Sequence, residues 1–236
     1  KIQENVEEEK HKKTSFKLLF TSVINVKGIL SATCLGLLFS MAGFHTVGLY
    51  ASLIFTSSKT FTANEYTIMF GTVKFLGTIF SLFFVERINR RPLMISALVI
   101  ITSCNICTSV LLFLHDKNYI SAAVYPWLLF LSLAVFGFFS CLMITVSVCV
   151  FNEILPLSVR AIGGSLTTTA QSFGTFTMTI LFWRITEWFG MGANFIIYVI
   201  MGLSTMLFVR VALQETRGKS LYDIHKRPDQ KEVAPS

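Results

Sequence analysis

Six stretches of this chain are each long and apolar enough to cross a bilayer as a helix. They lie at residues 28–55, 65–85, 92–114, 123–152, 162–186 and 192–213. A hydrocarbon core of about 30 Å calls for about 20 helical residues. Within lipid the backbone must satisfy its own hydrogen bonds, which favours helices for runs of this length. Composition agrees: only 14% of the residues are charged and 53% are hydrophobic, whereas a soluble domain carries about 25% charge. So few charges cannot cover a globular surface, and the 23 phenylalanines suit helix faces that meet acyl chains. The expected fold is an all-α membrane protein with six transmembrane helices. The breaks carry turn and charge signals: TSSKTFTANE, ERINRRP, HDKNYIS, NEILPLSVR and GMGAN. The runs at 28–55 and 123–152 exceed one span, which implies tilt or extension beyond the bilayer.

The basic residues set an orientation. The segment before the first run holds Lys1, Lys10, Lys12, Lys13, Lys17 and Lys27; the second loop holds Arg87, Arg90 and Arg91; the fourth holds Arg160. The tail holds Arg210, Arg217, Lys219, Lys226, Arg227 and Lys231. With six alternating helices these 16 share one face, while the other has only Lys59, Lys117 and Arg184. The asymmetry predicts an integral membrane protein with both termini in the cytoplasm. The chain divides into a cytoplasmic linker segment at 1–27, the helical unit at 28–213 and a cytoplasmic tail at 214–236. The first 27 residues are polar and charged and lack the pattern of a cleavable signal peptide. The chain opens on Lys1 rather than Met, and the expectation is a fragment or one half of a longer protein.

Enzymatic, redox and nucleic-acid chemistry find no support. The formal charge of +7 comes in short blocks between apolar runs, the pattern of membrane flanks rather than of a nucleic-acid face. His11, His45, His115 and His225 are scattered, and no phosphate-binding loop or nucleophile motif occurs. Cys104 and Cys107 spell C-x-x-C, but no second pair and no nearby His completes a site, so small thiols packing helices are expected. No cofactor and no metal are expected. One charge breaks the pattern: Lys74 lies inside TIMFGTVKFLGTIFSLFF, residues 67–84. Near the midplane an ammonium favours a wet or paired site over lipid.

Three clusters fall at the same membrane face: ERINRRPL (86–93), NEILPLSVRAIGG (152–164) and LQETRGKSL (213–221). Each joins acids to arginines, whose planar fork binds carboxylates in two places. By charge alone they could be topology anchors or an ion-pair network. In sequence they are more specific. ERINRR resembles the E-R-x-G-R-R loop of the sugar porter branch of the major facilitator superfamily. EILPLSVR resembles its E-x-x-P-x-x-x-R motif, with Glu153, Pro156 and Arg160 in register, and ETRGKSL resembles its P-E-T-K/R-G-x-S/T-L signature. The E-I-L-P form is similar to that of facilitated trehalose and hexose transporters of the insect type.

The resemblance covers residues 15 to 224 and implies the C-terminal half of a twelve-helix major facilitator fold. It implies facilitative transport of a hexose- or trehalose-type sugar by alternating access, in the plasma membrane. The partners implied are the lipid bilayer, a sugar and a missing N-terminal six-helix half. It also implies a cytoplasmic gate network of Glu86, Arg87, Arg90, Arg91, Glu153, Arg160, Glu215 and Arg217. The substrate-facing pattern departs from the family. Registering FSMAGFHTVGLYAS on Ala42-Gly43 puts Phe39 and Ser40 at two family glutamines, His45 at an asparagine, and Leu49 and Tyr50 at a tyrosine pair. Gln171 stands at an asparagine position, and Lys74 stands where the family has a cavity-facing asparagine. Asn89 replaces a glycine, Gln214 replaces a proline, and the proline break before Glu153 is missing. The substrate cavity is therefore expected to involve Lys74, His45, Gln171, Ser40, Phe39 and Tyr50. Lys74 and His45 leave open a carrier of a non-sugar, anionic solute. The altered pocket leaves open a transport-deficient, sensor-like or truncated homologue.

Overall fold

A computed structural model describes residues 23–57, 62–117, 119–121, 124–155 and 159–212. Among these the chain is helical, with no strand. The long helices are α1 (Val23–Met41), α4 (Ala63–Arg87), α5 (Arg90–Asp116), α6 (Tyr125–Ile154), α7 (Arg160–Phe189) and α8 (Met191–Ala212). Two short helices follow α1: α2 (Thr46–Leu49) and α3 (Ala51–Ile54), continued by a 3-10 turn at Phe55–Ser57.

The apolar run at 28–55 is therefore not one continuous helix. α1 stops at Met41, and the chain turns through Gly43, which adopts φ 89°. That left-handed conformation suits a residue without Cβ. A Cβ there would also lie 2.8 Å from the Tyr198 ring of α8. Broken helices are tolerated at membrane depth where the freed backbone is buried in protein or lines a cavity.

Among the described residues, five segments are long and apolar enough to span a membrane: Gly28–Leu49, Ala63–Val85, Arg90–Asp116, Tyr125–Ile154 and Met191–Val211. α7 is 30 residues long but less apolar, because serines, threonines and Gln171 interrupt it. α6 is the most enclosed of the five spans and α4 the least. Exposed Phe75, Leu76, Ile79, Leu82 and Phe83 cover the outer side of α4.

The helices pack as pairs: α1 against α7, α4 against α6, and α5 against both α6 and α8. Small residues and hydroxyls hold the seams, as expected where lipid removes the hydrophobic drive between helices. Gly77 of α4 brings its backbone so close to α6 that a Cβ would sit 2.9 Å from the Phe138 carbonyl oxygen. Ser81 and Thr145 join the same two helices through a 2.9 Å hydroxyl contact. Thr108 and Ser132 join α5 to α6 at 2.8 Å, and Ser109 donates to the Gly192 carbonyl of α8 at 3.0 Å.

Candidate functional site

An open cavity of about 830 Å³ lies between the break after α1, the middle of α4 and one face of α7. The break supplies His45, Gly48 and Leu49. α4 supplies Thr67, Phe70, Gly71 and Lys74. α7 supplies Thr168, Gln171, Ser172, Thr175, Phe176 and Thr179. The polar positions of α7 recur at three- and four-residue steps, so they line one face of the helix. The Thr168 and Thr179 hydroxyls donate to the carbonyls one turn back, at 3.0 and 2.8 Å. Their oxygens keep lone pairs with which to accept from a solute. Gln171 adds an amide that can both donate and accept, and its stem packs against Gly36, where a Cβ would lie 3.2 Å from Gln171 Cγ.

Lys74 occupies the wall opposite this stripe. It lies eleven residues after Ala63 and thirteen before Arg87, in the middle of α4. Gly137 makes room for its stem, and Gly48 lies beside its head. A Cβ at Gly137 would meet Lys74 Cγ at 3.2 Å, and a Cβ at Gly48 would meet Nζ at 3.4 Å. The ammonium lies 5.8 Å from the centroid of the Phe70 ring, within reach of a cation–π attraction. Among the described residues no carboxylate is within ion-pair distance of it.

Three of the six cavity residues read from sequence, Lys74, His45 and Gln171, meet at this cavity. The other three do not line it. Phe39 is buried and stacks on Phe44 with centroids 4.3 Å apart. Ser40 is buried, donates to the Leu37 carbonyl at 2.8 Å and packs against Gly174 of α7. Ser40 thus sits in the α1–α7 seam, while Phe39 packs on Phe44 of the break, which in turn stacks on Phe136 of α6. Tyr50 donates to the Thr179 carbonyl at 3.0 Å and stacks on Phe182 at 4.2 Å, supporting the cavity wall from behind. Sequence reasoning missed Thr67, Phe70, Thr168, Ser172, Thr175, Phe176 and Thr179. The hydroxyl stripe at helical spacing is the signal that would have found the α7 members.

At one end of the bundle the arginines tie helix ends together. Arg90 Nε lies 2.9 Å from Glu153 Oε1, with both side chains partly buried. The buried Nε makes no aligned hydrogen bond, so the contact is an ion pair by distance. Arg91 Nη2 donates to the Arg210 carbonyl near the end of α8. The last carbonyls of a helix have no partner within it, and a guanidinium satisfies one of them. Arg160 Nη2 lies 3.5 Å from the Leu155 carbonyl, at the other side of the α6–α7 loop. Arg87 is exposed at the end of α4. Glu215, Arg217 and Pro156 lie outside the described residues, as does the side chain of Glu86.

The profile of the family described as "Sugar (and other) transporter" matches residues 1–227. The chain belongs to this sugar transporter family. It is 28% identical to the sugar transporter ERD6-like 6 of Arabidopsis thaliana over 78% of this chain and 38% of that protein. It is 27% identical to the facilitated trehalose transporter Tret1 of Bombyx mori over 90% of this chain and 42% of that protein. The glucose transporter GlcP of Staphylococcus epidermidis is 25% identical over 83% of this chain and 44% of its own length. The chain thus spans less than half the length of these relatives. Family membership and the apolar helices make it an integral membrane protein, helical throughout its described residues.

Proposed function

We propose that this unit is the C-terminal half of a facilitative sugar carrier that works by alternating access. The carrying observation is the cavity itself: an amide and a ladder of hydroxyls on α7 face a broken helix and the middle of α4. Its size falls within the range of about 300–1,000 Å³ usual for small-molecule sites. A sugar exchanges its hydration for hydrogen bonds to such a wall, and Gln171 and Ser172 can serve its hydroxyls as both donor and acceptor. The cavity is open, and a second six-helix half placed against it would enclose the solute near the midplane. Trehalose and glucose, named for the relatives above, are the first solutes to consider.

In this reading Lys74, His45 and Gln171 contact the solute, and Tyr50, Phe39 and Ser40 hold the wall. Glu86, Arg87, Arg90, Arg91, Glu153, Arg160, Glu215 and Arg217 form the cytoplasmic gate. Pairing of the helix ends there stabilises the outward-open state, and its release opens the inner side. The basic face supports a reading in which both termini lie on the cytoplasmic side of the plasma membrane, with exposed phenylalanines against lipid.

The test is uptake of labelled glucose and trehalose by the whole carrier in vesicles from transport-null cells. Saturable, equilibrating uptake that Gln171→Ala weakens is expected. Solute binding without flux would overturn the carrier reading in favour of a sensor, and neither binding nor flux of either sugar would overturn it outright.

A further inference from the structure

We infer that the cavity selects a solute carrying both hydroxyl groups and one negative charge, a sugar acid, with Lys74 reading the charge; this rests on the carrier reading above. Lys74 is eleven residues from one end of α4 and thirteen from the other. At about 1.5 Å per residue, either interface lies roughly 16–20 Å away along the helix, too far for one lysine stem to bridge. The ammonium therefore has to be accommodated where it is, and the cavity is built for it. Gly137 admits the stem, and the head lies beside Gly48 of the break. The Phe70 face is the weak attraction that remains to it.

No carboxylate among the described residues neutralises this charge. While the cavity is open, water can do so. Once the cavity closes around a solute, that water leaves, and the solute becomes the available counter-charge. A neutral sugar would satisfy the α7 hydroxyls and leave the ammonium desolvated and unpaired, which is strongly unfavourable. A carboxylate on the same sugar frame satisfies both walls at once. His45, on the break, also lines the cavity and offers a further donor to the solute.

The experiment uses the whole carrier in liposomes and compares uptake of glucuronate with uptake of glucose, a pair that differs by one carboxylate. The unmodified protein is expected to favour glucuronate by about tenfold or more, as one charge-assisted contact would give. Lys74→Gln should lower the glucuronate-to-glucose ratio by about tenfold, and Lys74→Arg should hold it within about threefold. Glucose transport with a ratio that Lys74→Gln leaves unaltered would overturn the charge inference and keep the carrier reading. Loss of both solutes in Lys74→Gln with normal membrane insertion would also overturn it, pointing to a carboxylate of the opposite half as the partner of Lys74. Absence of both fluxes in the unmodified protein would instead sink the carrier reading. Should Lys74→Gln fail to insert, thermal protection of the unmodified protein decides: glucuronate should protect at lower concentration than glucose, and equal protection rules the inference out.

Discussion

Arg90 Nε lies 2.9 Å from Glu153 Oε1, joining the first residue of α5 to the end of α6. α5 and α6 already pack along their length, so this ion pair is not needed to hold them in one bundle. It adds a contact between their ends. Arg91, beside it, reaches the Arg210 carbonyl of α8. Two successive arginines at the start of α5 thus hold two different helices.

The first prediction follows from the partial exposure of this pair, whose side chains are 20% and 29% accessible. An ion pair close to water contributes about 1 kcal/mol, a roughly fivefold effect on an equilibrium. Arg90→Ala and Glu153→Gln should each shift the inward/outward population of the carrier about fivefold while leaving its melting temperature nearly unchanged. Conformation-specific cysteine labelling checks the shift. Unchanged labelling in both variants would remove the pair from the gate.

A second prediction concerns orientation. Tyr119 is highly exposed in the loop between α5 and α6, and Arg87 is exposed at the opposite end of the bundle. In a cysteine-free background, Tyr119→Cys should react with an impermeant maleimide applied to intact cells. Arg87→Cys should react only after permeabilisation. The reverse pattern would invert the topology drawn from the basic residues.

A third prediction separates glycines that make a seam from glycines that do not. Gly77 sits against the Phe138 carbonyl, whereas a Cβ at Gly164 of α7 would meet nothing within 4 Å. Gly164→Ala should stabilise the detergent-solubilised unit by up to about 1 kcal/mol through helix propensity. Gly77→Ala has the same propensity gain but must push α4 from α6, so it should destabilise by about 1–3 kcal/mol, as overpacking does. Thermal melts of the two variants check this. Equal effects would mean that the α4–α6 approach is not tight.

How much of this was legible in the sequence differs by element. The long helices were readable because lipid imposes a length and a composition on a spanning helix, although α7, interrupted by serines, threonines and Gln171, falls short of the apolarity of the other five. The start of α4 was readable in principle: Thr62-x-x-Glu65 is a capping box, and Glu65 Oε2 accepts from the Thr62 N–H at 2.8 Å. The break after Met41 was not, because AGFHTV contains no proline and its single Gly43 is compatible with a helix. The turn is fixed by the Tyr198 ring, which comes from a helix more than 150 residues away in the chain. For the site, Lys74 was legible because a charge within an apolar run needs an explanation. Phe39 and Ser40 were misplaced because registration onto a motif fixes position along a helix axis. It does not fix which neighbour covers each face: here Gly174 of α7 covers Ser40, and Phe44 covers Phe39.

The last prediction concerns that break. Gly43 combines a left-handed φ of 89° with an aromatic ring where its Cβ would be. An alanine there meets two separate obstacles: the backbone conformation, costing about 1 kcal/mol or more, and the clash with Tyr198. Tyr198→Ala would remove only the second, and would itself open a void, since Tyr198 is fully buried. Gly43→Ala should therefore lower thermal stability, and adding Tyr198→Ala should recover part of the incremental loss, measured against Tyr198→Ala alone. Because the turn sets where His45, Gly48 and Leu49 stand in the cavity, Gly43→Ala should also raise the KM for solute more than it lowers expression at the membrane. If Gly43→Ala melts and transports like the unmodified protein, the first span is a continuous helix in the working carrier. The wall that His45 shares with Lys74 would then have to be drawn differently.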